Sequence, residues 1–86
     1  MDLRKLNVKG FHLSKDCSDH LSSIYYDSDD DPDGFYITIT NDTENPNVEI
    51  VSITQNCEVQ KITTFDEHSI HFLEYWLNST TNSMKE

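Results

Sequence analysis

The residues best suited to chemistry in this sequence are aspartates, which fill five of the seven positions from 27 to 33. Three at alternate positions, Asp29, Asp31 and Asp33, precede a glycine, as in an EF-hand loop whose alternating carboxylates converge on calcium. The position of the bidentate glutamate is held by Thr40, however, and a strand pattern follows where a helix is needed. The sequence therefore predicts a solvated acidic loop and no metal site.

Cysteine and histidine pairs invite a comparison with zinc sites. Cys17 and His20 are three positions apart, as are His68 and His71, which is an acceptable ligand spacing. A zinc finger places its second cysteine close to the first, whereas Cys57 lies 40 positions after Cys17. These side chains are therefore predicted to be unrelated, with no cofactor. In the absence of an export signal, both cysteines are expected to be reduced and not joined in a disulfide.

The net charge of −10 is distributed unevenly. Residues 1–15 carry four basic side chains and one acidic one, whereas residues 16–84 carry 14 acidic side chains against Lys61 alone. A field of this sign repels nucleic acid and anionic membranes and attracts basic partners. The charge therefore excludes direct nucleic-acid binding and membrane association, and it favours a basic protein as the partner.

Two classes of protein are excluded by missing sequence features. No apolar run approaches the ~18 residues of a membrane span, and the first residues do not lead into an apolar signal segment, so a cytoplasmic location is expected. No serine stands in a glycine-framed nucleophile turn, and no other catalytic motif occurs, so the protein is not predicted to be an enzyme.

Strands are the elements that must position the acidic loop. In the stretch 35–40, Phe35, Ile37 and Ile39 alternate with polar or hydroxyl-bearing side chains, which is typical of a half-buried strand. The segment 16–26 fits either a helix or a strand, and its β-branched and aromatic end favours a strand. Further strands are predicted at 48–54 and 59–63, and Gly10 permits a short bulged strand within 6–13.

The hydrophobic period changes after residue 63. Thr64 and Glu67 fit a capping box at the start of a helix that should run to about Asn78, with residues 79–86 as a frayed tail. The predicted fold is a single α+β domain over residues 1–78: an antiparallel meander of three to four strands with the helix packed on one face. The apolar stripe of the helix comprises Ile70, Phe72, Leu73, Trp76 and Leu77.

Aromatic residues next to the acids indicate a protein-binding surface. Tyr25 and Tyr26 directly precede the acidic loop, and tyrosines are frequent anchors at interfaces. Spaced carboxylates can occupy phosphate positions in a basic groove, because charge neutralisation supplies most of the affinity there. The alternative is that either tyrosine packs on the sheet. The predicted partner-binding residues are Tyr25, Tyr26, Asp27, Asp29, Asp30, Asp31, Asp33, Asp42 and Glu44.

In its size, acidity and lack of a catalytic motif, the whole chain resembles the small acidic phage inhibitors that mimic DNA, among them many anti-CRISPR proteins. The resemblance implies a non-enzymatic inhibitor that occludes a basic nucleic-acid-binding surface. Its implied partner is a CRISPR effector or another nuclease in the host cytoplasm.

A second resemblance concerns the segment from Ile24 to Tyr26 and the acidic Pro-Asp-Gly loop, which is similar to the partner-binding segment of colicin nuclease immunity proteins. It implies an alternative function, the neutralisation of a cognate basic nuclease toxin. That family is an all-helical bundle, whereas residues 35–40 here predict a strand. A calcium-dependent or housekeeping interaction domain is the third hypothesis. The contact residues implied by the resemblance to immunity proteins are Tyr25, Tyr26, Asp27, Asp29 and Asp30.

Overall fold

One antiparallel sheet is the framework of the computed structural model, which describes residues 2–15 and 23–85. Its strands pair in chain order as a meander, and one helix follows them, so the predicted α+β class is confirmed. The sheet has five strands where three to four were predicted. The strands are β1 (Phe11–Leu13), β2 (Ile24–Ser28), β3 (Phe35–Asn41), β4 (Glu49–Gln55) and β5 (Glu58–Phe65).

The core lies on one face of this sheet. Successive side chains of a strand point to opposite faces, so the alternation predicted for β3 places Phe35, Ile37 and Ile39 together, each at most 4% exposed. The helix α1 (Leu73–Met84) packs here, and burial of each large apolar side chain contributes about 1.5–3 kcal/mol. The buried core comprises Val8, Tyr26, Phe35, Ile37, Ile39, Val51, Ile53, Phe65, Leu73 and Leu77.

No helix of the described residues covers the opposite face, which we call the open face. Its side chains follow from the strand register, because residues paired across antiparallel strands point to the same side. Val59 and Ile62 are the most exposed apolar side chains on it, at 59% and 64%. By this register the open face comprises His12, Tyr25, Asp27, Tyr36, Thr38, Thr40, Ile50, Ser52, Thr54, Val59, Ile62 and Thr64.

The helical segment starts later than the sequence predicted. Strand β5 continues through Phe65, which pairs with Glu49, so Thr64 is a strand residue and the predicted capping box does not form. The carboxylate of Asp66 instead accepts hydrogen bonds from the Ser69 hydroxyl (3.0 Å) and N–H (2.9 Å), and these bonds lower the pKa of Asp66. Because the charged form is stabilised, the turn is strengthened at neutral pH and weakened as acid protonates Asp66. A short 3₁₀ helix (Ile70–Phe72) then leads into α1.

The helix also ends later than predicted. It runs through Met84, so the predicted end at Asn78 is wrong. Leu77 and Thr81 are four residues apart and both buried, and the Thr81 hydroxyl donates to the Leu77 carbonyl at 2.7 Å, which satisfies its polar group inside the fold. Within the described ranges no helix is long and apolar enough to cross a membrane.

The segment 2–10 packs against α1 and closes the core. The N–H of Lys9 donates to the Asn78 side chain at 2.8 Å, and Val8 beside it is 3% exposed. Gly10 follows in a turn with φ of 81°, and an added side chain there would also collide with the Lys85 ammonium. The irregularity expected near Gly10 therefore takes the form of a turn ahead of β1, whereas the register shift of the sheet lies in the pairing of β4 with β5.

Candidate protein-binding surface

The acidic loop, residues 29–34, connects β2 to β3 and is shaped by one of its own aspartates. The Asp31 carbonyl accepts from the N–H groups of Gly34 (3.2 Å) and Phe35 (3.0 Å), and the Asp31 carboxylate also accepts from the Gly34 N–H at 3.1 Å. An added side chain at Gly34 would collide with that carboxylate, which explains the glycine at this position. Asp31 therefore stabilises the turn that holds its neighbours in solvent.

The loop is also tied to the end of β2. The Ser28 hydroxyl oxygen accepts from the N–H groups of Asp30 (3.3 Å) and Asp31 (3.4 Å). Ser28 itself is 2% exposed, so these bonds anchor the loop to a buried position of the sheet. The side chains of Asp29, Asp30, Asp31 and Asp33 are exposed at this end of the molecule.

The geometry of the acidic loop opposes an ion cage. Among the described residues no three His, Cys, Asp or Glu side chains come together as metal ligands. The carboxylate of Asp31 also accepts a hydrogen bond from a backbone N–H, which competes with a cation for the same oxygen.

We therefore expect calcium titration followed by calorimetry to show no site tighter than about 10⁻⁴ M, the range of weak extracellular modules. The loop carboxylates should behave as a diffuse ion atmosphere, so magnesium should give the same small heats. A micromolar or tighter calcium site, abolished in Asp29→Ala, would show instead that the loop closes around an ion.

His12 contacts one of the aspartates of the loop. Strand β1 pairs His12 with Asp27 on the open face, and its Nδ1 lies 2.6 Å from Oδ1 of Asp29. Both side chains of this contact are about half exposed, at 53% and 54%. His12 and Lys15 also line a groove beside Asp27, so a lysine lies on this side of β2.

The structure separates the two adjacent tyrosines. Tyr26 points into the core, 2% exposed, where its hydroxyl donates to the Leu3 carbonyl (2.7 Å) and accepts from the Leu6 N–H (3.0 Å). Burial raises the pKa of the Tyr26 hydroxyl above its usual value, and the Leu6 N–H partly opposes that shift. Tyr26 is a core residue, so its predicted role as a partner contact is wrong.

Tyr25 points the other way, onto the open face. It lies diagonally across from Tyr36, with ring centroids 6.3 Å apart and ring planes inclined at 42°. This arrangement falls within the distance range of favourable aromatic pairs. Of the two sequence alternatives, core packing therefore applies to Tyr26 and surface exposure to Tyr25, which is half-buried.

A cavity of about 220 Å³ joins the open face to the acidic loop. Asp27 lies directly across the strand pair from Tyr36, two residues along β2 from Tyr25, so all three point to one side. The loop then folds back and adds Pro32 and Asp33 as the outer wall. The structure thus brings together three of the predicted contact residues, Tyr25, Asp27 and Asp33, around an aromatic pair.

Asp42 and Glu44 lie elsewhere. They follow the opposite end of β3, in a turn where the Asp42 carboxylate accepts from the Glu44 N–H at 3.0 Å. The seven residues of β3 separate this turn from the acidic loop by about 20 Å at 3.3 Å per residue. Asp42 and Glu44 therefore belong to a second acidic end of the sheet, and a groove at this end is lined by Glu49, Asp66 and Glu67.

The remaining sequence candidates are scattered or not described. Cys57 is exposed in the turn between β4 and β5, whereas Cys17 and His20 lie outside the described residues, so neither the disulfide nor that ligand pair is open to description. His68 follows Asp66, to which its N–H donates at 2.9 Å, and His71 stacks its ring against Phe72.

Sequence reasoning missed Tyr36 as a site residue. Its phase in β3 placed it opposite the core, but only the register with β2 shows that it meets Tyr25 and Asp27. Glu49 was not among the predicted contact residues, and Asp66 and Glu67 were assigned to the start of a helix. Their proximity depends on the path of the chain after β5, which no local pattern encodes.

Two lysines lie beside the helix. Lys9 and Lys85 line a cavity of about 450 Å³ between the segment 2–10 and α1, and the Lys85 ammonium lies 5.0 Å from the centre of the Phe11 ring.

Comparisons of the chain with protein-family models, with curated proteins and with solved structures each found no match.

Proposed function

We propose that this protein is a non-enzymatic inhibitor that binds a basic nucleic-acid-binding surface of another protein and occludes it, as phage anti-CRISPR proteins of the DNA-mimic type do. The observation that carries the proposal is the continuity of the open face with the acidic loop: Tyr25 and Asp27 adjoin the exposed aspartates. Strands β1 to β5 contribute no lysine or arginine to the open face.

Both parts of this surface have a role in binding. Half-buried tyrosines on a sheet present large, rigid contact area, and such side chains often dominate interface energies. The loop carboxylates supply the negative charge that a phosphate-binding groove attracts, which raises the rate of encounter and excludes nucleic acid from the groove.

The acidic loop is the end of the sheet that we assign to the contact. It combines exposed carboxylates with an aromatic cavity on the same face, whereas the groove at the other end combines acids with Leu3, Phe65 and Ile70 from the helical side. Asp42 and Glu44 then contribute to the long-range field that steers the partner, which salt screens over about 8–10 Å.

The immunity-protein alternative receives less support. That family is all-helical, whereas this chain is a five-stranded meander, and only Tyr25 of the paired tyrosines reaches the surface. An antidote to a basic nuclease toxin would nevertheless use the same acidic surface, so the test includes both kinds of target.

The proposal is tested with purified nucleases, both RNA-guided effectors and basic toxin nucleases, whose cleavage of labelled DNA is followed with and without this protein. We expect this protein to inhibit at least one RNA-guided effector at stoichiometric concentration. In the cell, the proposed place of action is the cytoplasm of the host. This protein and nucleic acid should compete for the same basic groove, so preloading the nuclease with nucleic acid should protect it from inhibition. Raised salt should weaken the inhibition, because it screens the charges.

Two other results would change the assignment. Inhibition confined to a toxin nuclease would favour the antidote function. Inhibition that is indifferent to both preloaded nucleic acid and salt would overturn occlusion of a nucleic-acid groove, because the protein would then act at a surface that phosphates do not use.

A further inference from the structure

We infer that the cavity lined by Tyr25, Tyr36 and the acidic loop is a binding pocket for a guanidinium group, the side-chain head of an arginine on the partner. The inference rests on the proposed function for the source of that arginine, but the affinity of the pocket for guanidinium is a property of this chain alone. Its ligand class follows from what lines the cavity: two tyrosine rings, two carboxylates and one proline.

The carboxylates are placed by two different elements. Asp27 belongs to β2 and lies opposite Tyr36, so its side chain rises from the floor of the sheet beside the ring. Asp33 belongs to the acidic loop and closes the outer wall. A guanidinium in the cavity would have carboxylate acceptors from both elements, which suits its planar fork of five N–H donors better than the compact ammonium of lysine.

The aromatic rings supply the remaining recognition. Both rings line the cavity, with centroids 6.3 Å apart and planes inclined at 42°, and arginine stacks on aromatic faces through its delocalised plane. A metal ion is a poor occupant, since two carboxylates are too few ligands for calcium and tyrosine rings offer none.

The surroundings leave this pocket negative. The basic groups of the described chain that lie closest along the sheet are His12 and Lys15, which line the groove on the other side of Asp27. His12 contacts Asp29 at 2.6 Å and is separated from Tyr36 by strand β2. Among the described residues the pocket is lined by no lysine or arginine, and its two charged groups are carboxylates.

The test uses N-acetyl-L-arginine amide as the probe, with the lysine analogue and the uncharged citrulline analogue as controls, and follows the ring signals of Tyr25 and Tyr36 by NMR. We expect saturable shifts of both rings with the arginine probe and none with citrulline, which keeps the shape but loses the charge. The lysine analogue should bind at least about threefold more weakly than the arginine probe, because it lacks the planar fork.

A matched pair of loop variants separates the pocket from the general field. Asp33→Asn and Asp30→Asn remove the same charge from exposed positions of one loop, but only Asp33 lines the cavity. We expect Asp33→Asn to lower the affinity for the arginine probe by about three- to tenfold, and Asp30→Asn to lower it by less than about twofold. Tyr36→Leu, with folding checked by circular dichroism, should abolish the ring-dependent selectivity for arginine over lysine.

Equal losses in the two aspartate variants, or shifts spread over the whole acidic loop, would overturn the pocket, because the probe would then be sensing only the ion atmosphere. If the arginine probe fails to bind while nuclease inhibition persists, this inference falls and the proposed function stands. If the probe binds selectively and no nuclease is inhibited, the pocket stands and the proposed function falls.

Discussion

Replacing Tyr26 by alanine should lower the free energy of unfolding by about 3–5 kcal/mol, the cost of removing a large aromatic side chain from a packed core. Its hydroxyl also bonds to Leu3 and Leu6, so the truncation leaves a carbonyl and an N–H of the segment 2–10 without their partner. Since small domains are stable by only about 5–15 kcal/mol, the variant should be close to unfolding at room temperature. Urea denaturation followed by the fluorescence of Trp76, the single tryptophan, measures the loss.

Tyr25→Ala is the matched control for this change, because it removes the same side chain from the adjacent residue on the opposite face. We expect it to cost less than about 1.5 kcal/mol, as its ring is half-buried and packs on the surface beside Tyr36. Tyr26→Phe should cost about 1–2 kcal/mol, which isolates the hydrogen bonds of the hydroxyl. If the costs at the two tyrosines were reversed, the register of β2 would be shifted by one residue and the open face would be a different set of side chains.

Neutralising Asp29, Asp30 and Asp33 together as asparagines should weaken binding to an inhibited nuclease at least tenfold, about 1.4 kcal/mol. Three solvated carboxylates at an interface rim contribute modestly one by one, and Asp33 adds its part in the cavity. Asp31 is left unchanged, because its carboxylate holds the turn through the Gly34 N–H. Surface plasmon resonance at two salt concentrations measures both the affinity and its electrostatic share.

The control for the loop variant is a second triple variant with the same change in net charge, made at the other end of the sheet. Asp42→Asn, Glu44→Gln and Glu67→Gln remove three charges about 20 Å away, beyond a Debye length at physiological salt. We expect a loss of less than about threefold, mainly in the association rate. Equal losses at the two ends would mean that the partner spans the whole sheet, and unchanged binding in both would remove the basis for phosphate mimicry.

Part of the order of the elements was predictable from local patterns, because some strands carry a clear alternation of their own. The residues from Phe35 to Thr40 specify both a strand and its inner face, and this is where the sequence is most regular. Strand β1 has only three residues, which are too few to show an alternating pattern. Its place in the sheet therefore depends on pairing with β2.

The helix boundaries were mispredicted for two different reasons. At the start, Thr64 and Glu67 have capping-box spacing. The β-branched and aromatic residues up to Phe65 nevertheless extend the strand, because pairing with β4 stabilises them there. At the end, the polar run after Asn78 has low helix propensity, yet Thr81 fits inside because its hydroxyl bonds within the helix. Tertiary contacts decided both boundaries.

The candidate site was half predictable. Composition alone identified the acidic loop, since aspartates next to proline and glycine cannot enter a core. The choice between Tyr25 and Tyr26 depended on which of them meets the segment 2–10, a contact more than 20 residues away in sequence. Tyr36 joined the site only through register, which is a property of two strands together.

The division of the sheet into a covered face and an open face also has an evolutionary consequence. Along β2 and β3, core residues alternate with residues of the open face. Adjacent codons are therefore under different selective constraints. Under the proposed function, a change in the target surface could be matched by substitutions at Tyr25, Asp27, Tyr36 or Thr38 without disturbing Tyr26 and Ile37, which alternate with them in the core. A chain of 86 residues can thereby keep its architecture constant while its specificity drifts rapidly.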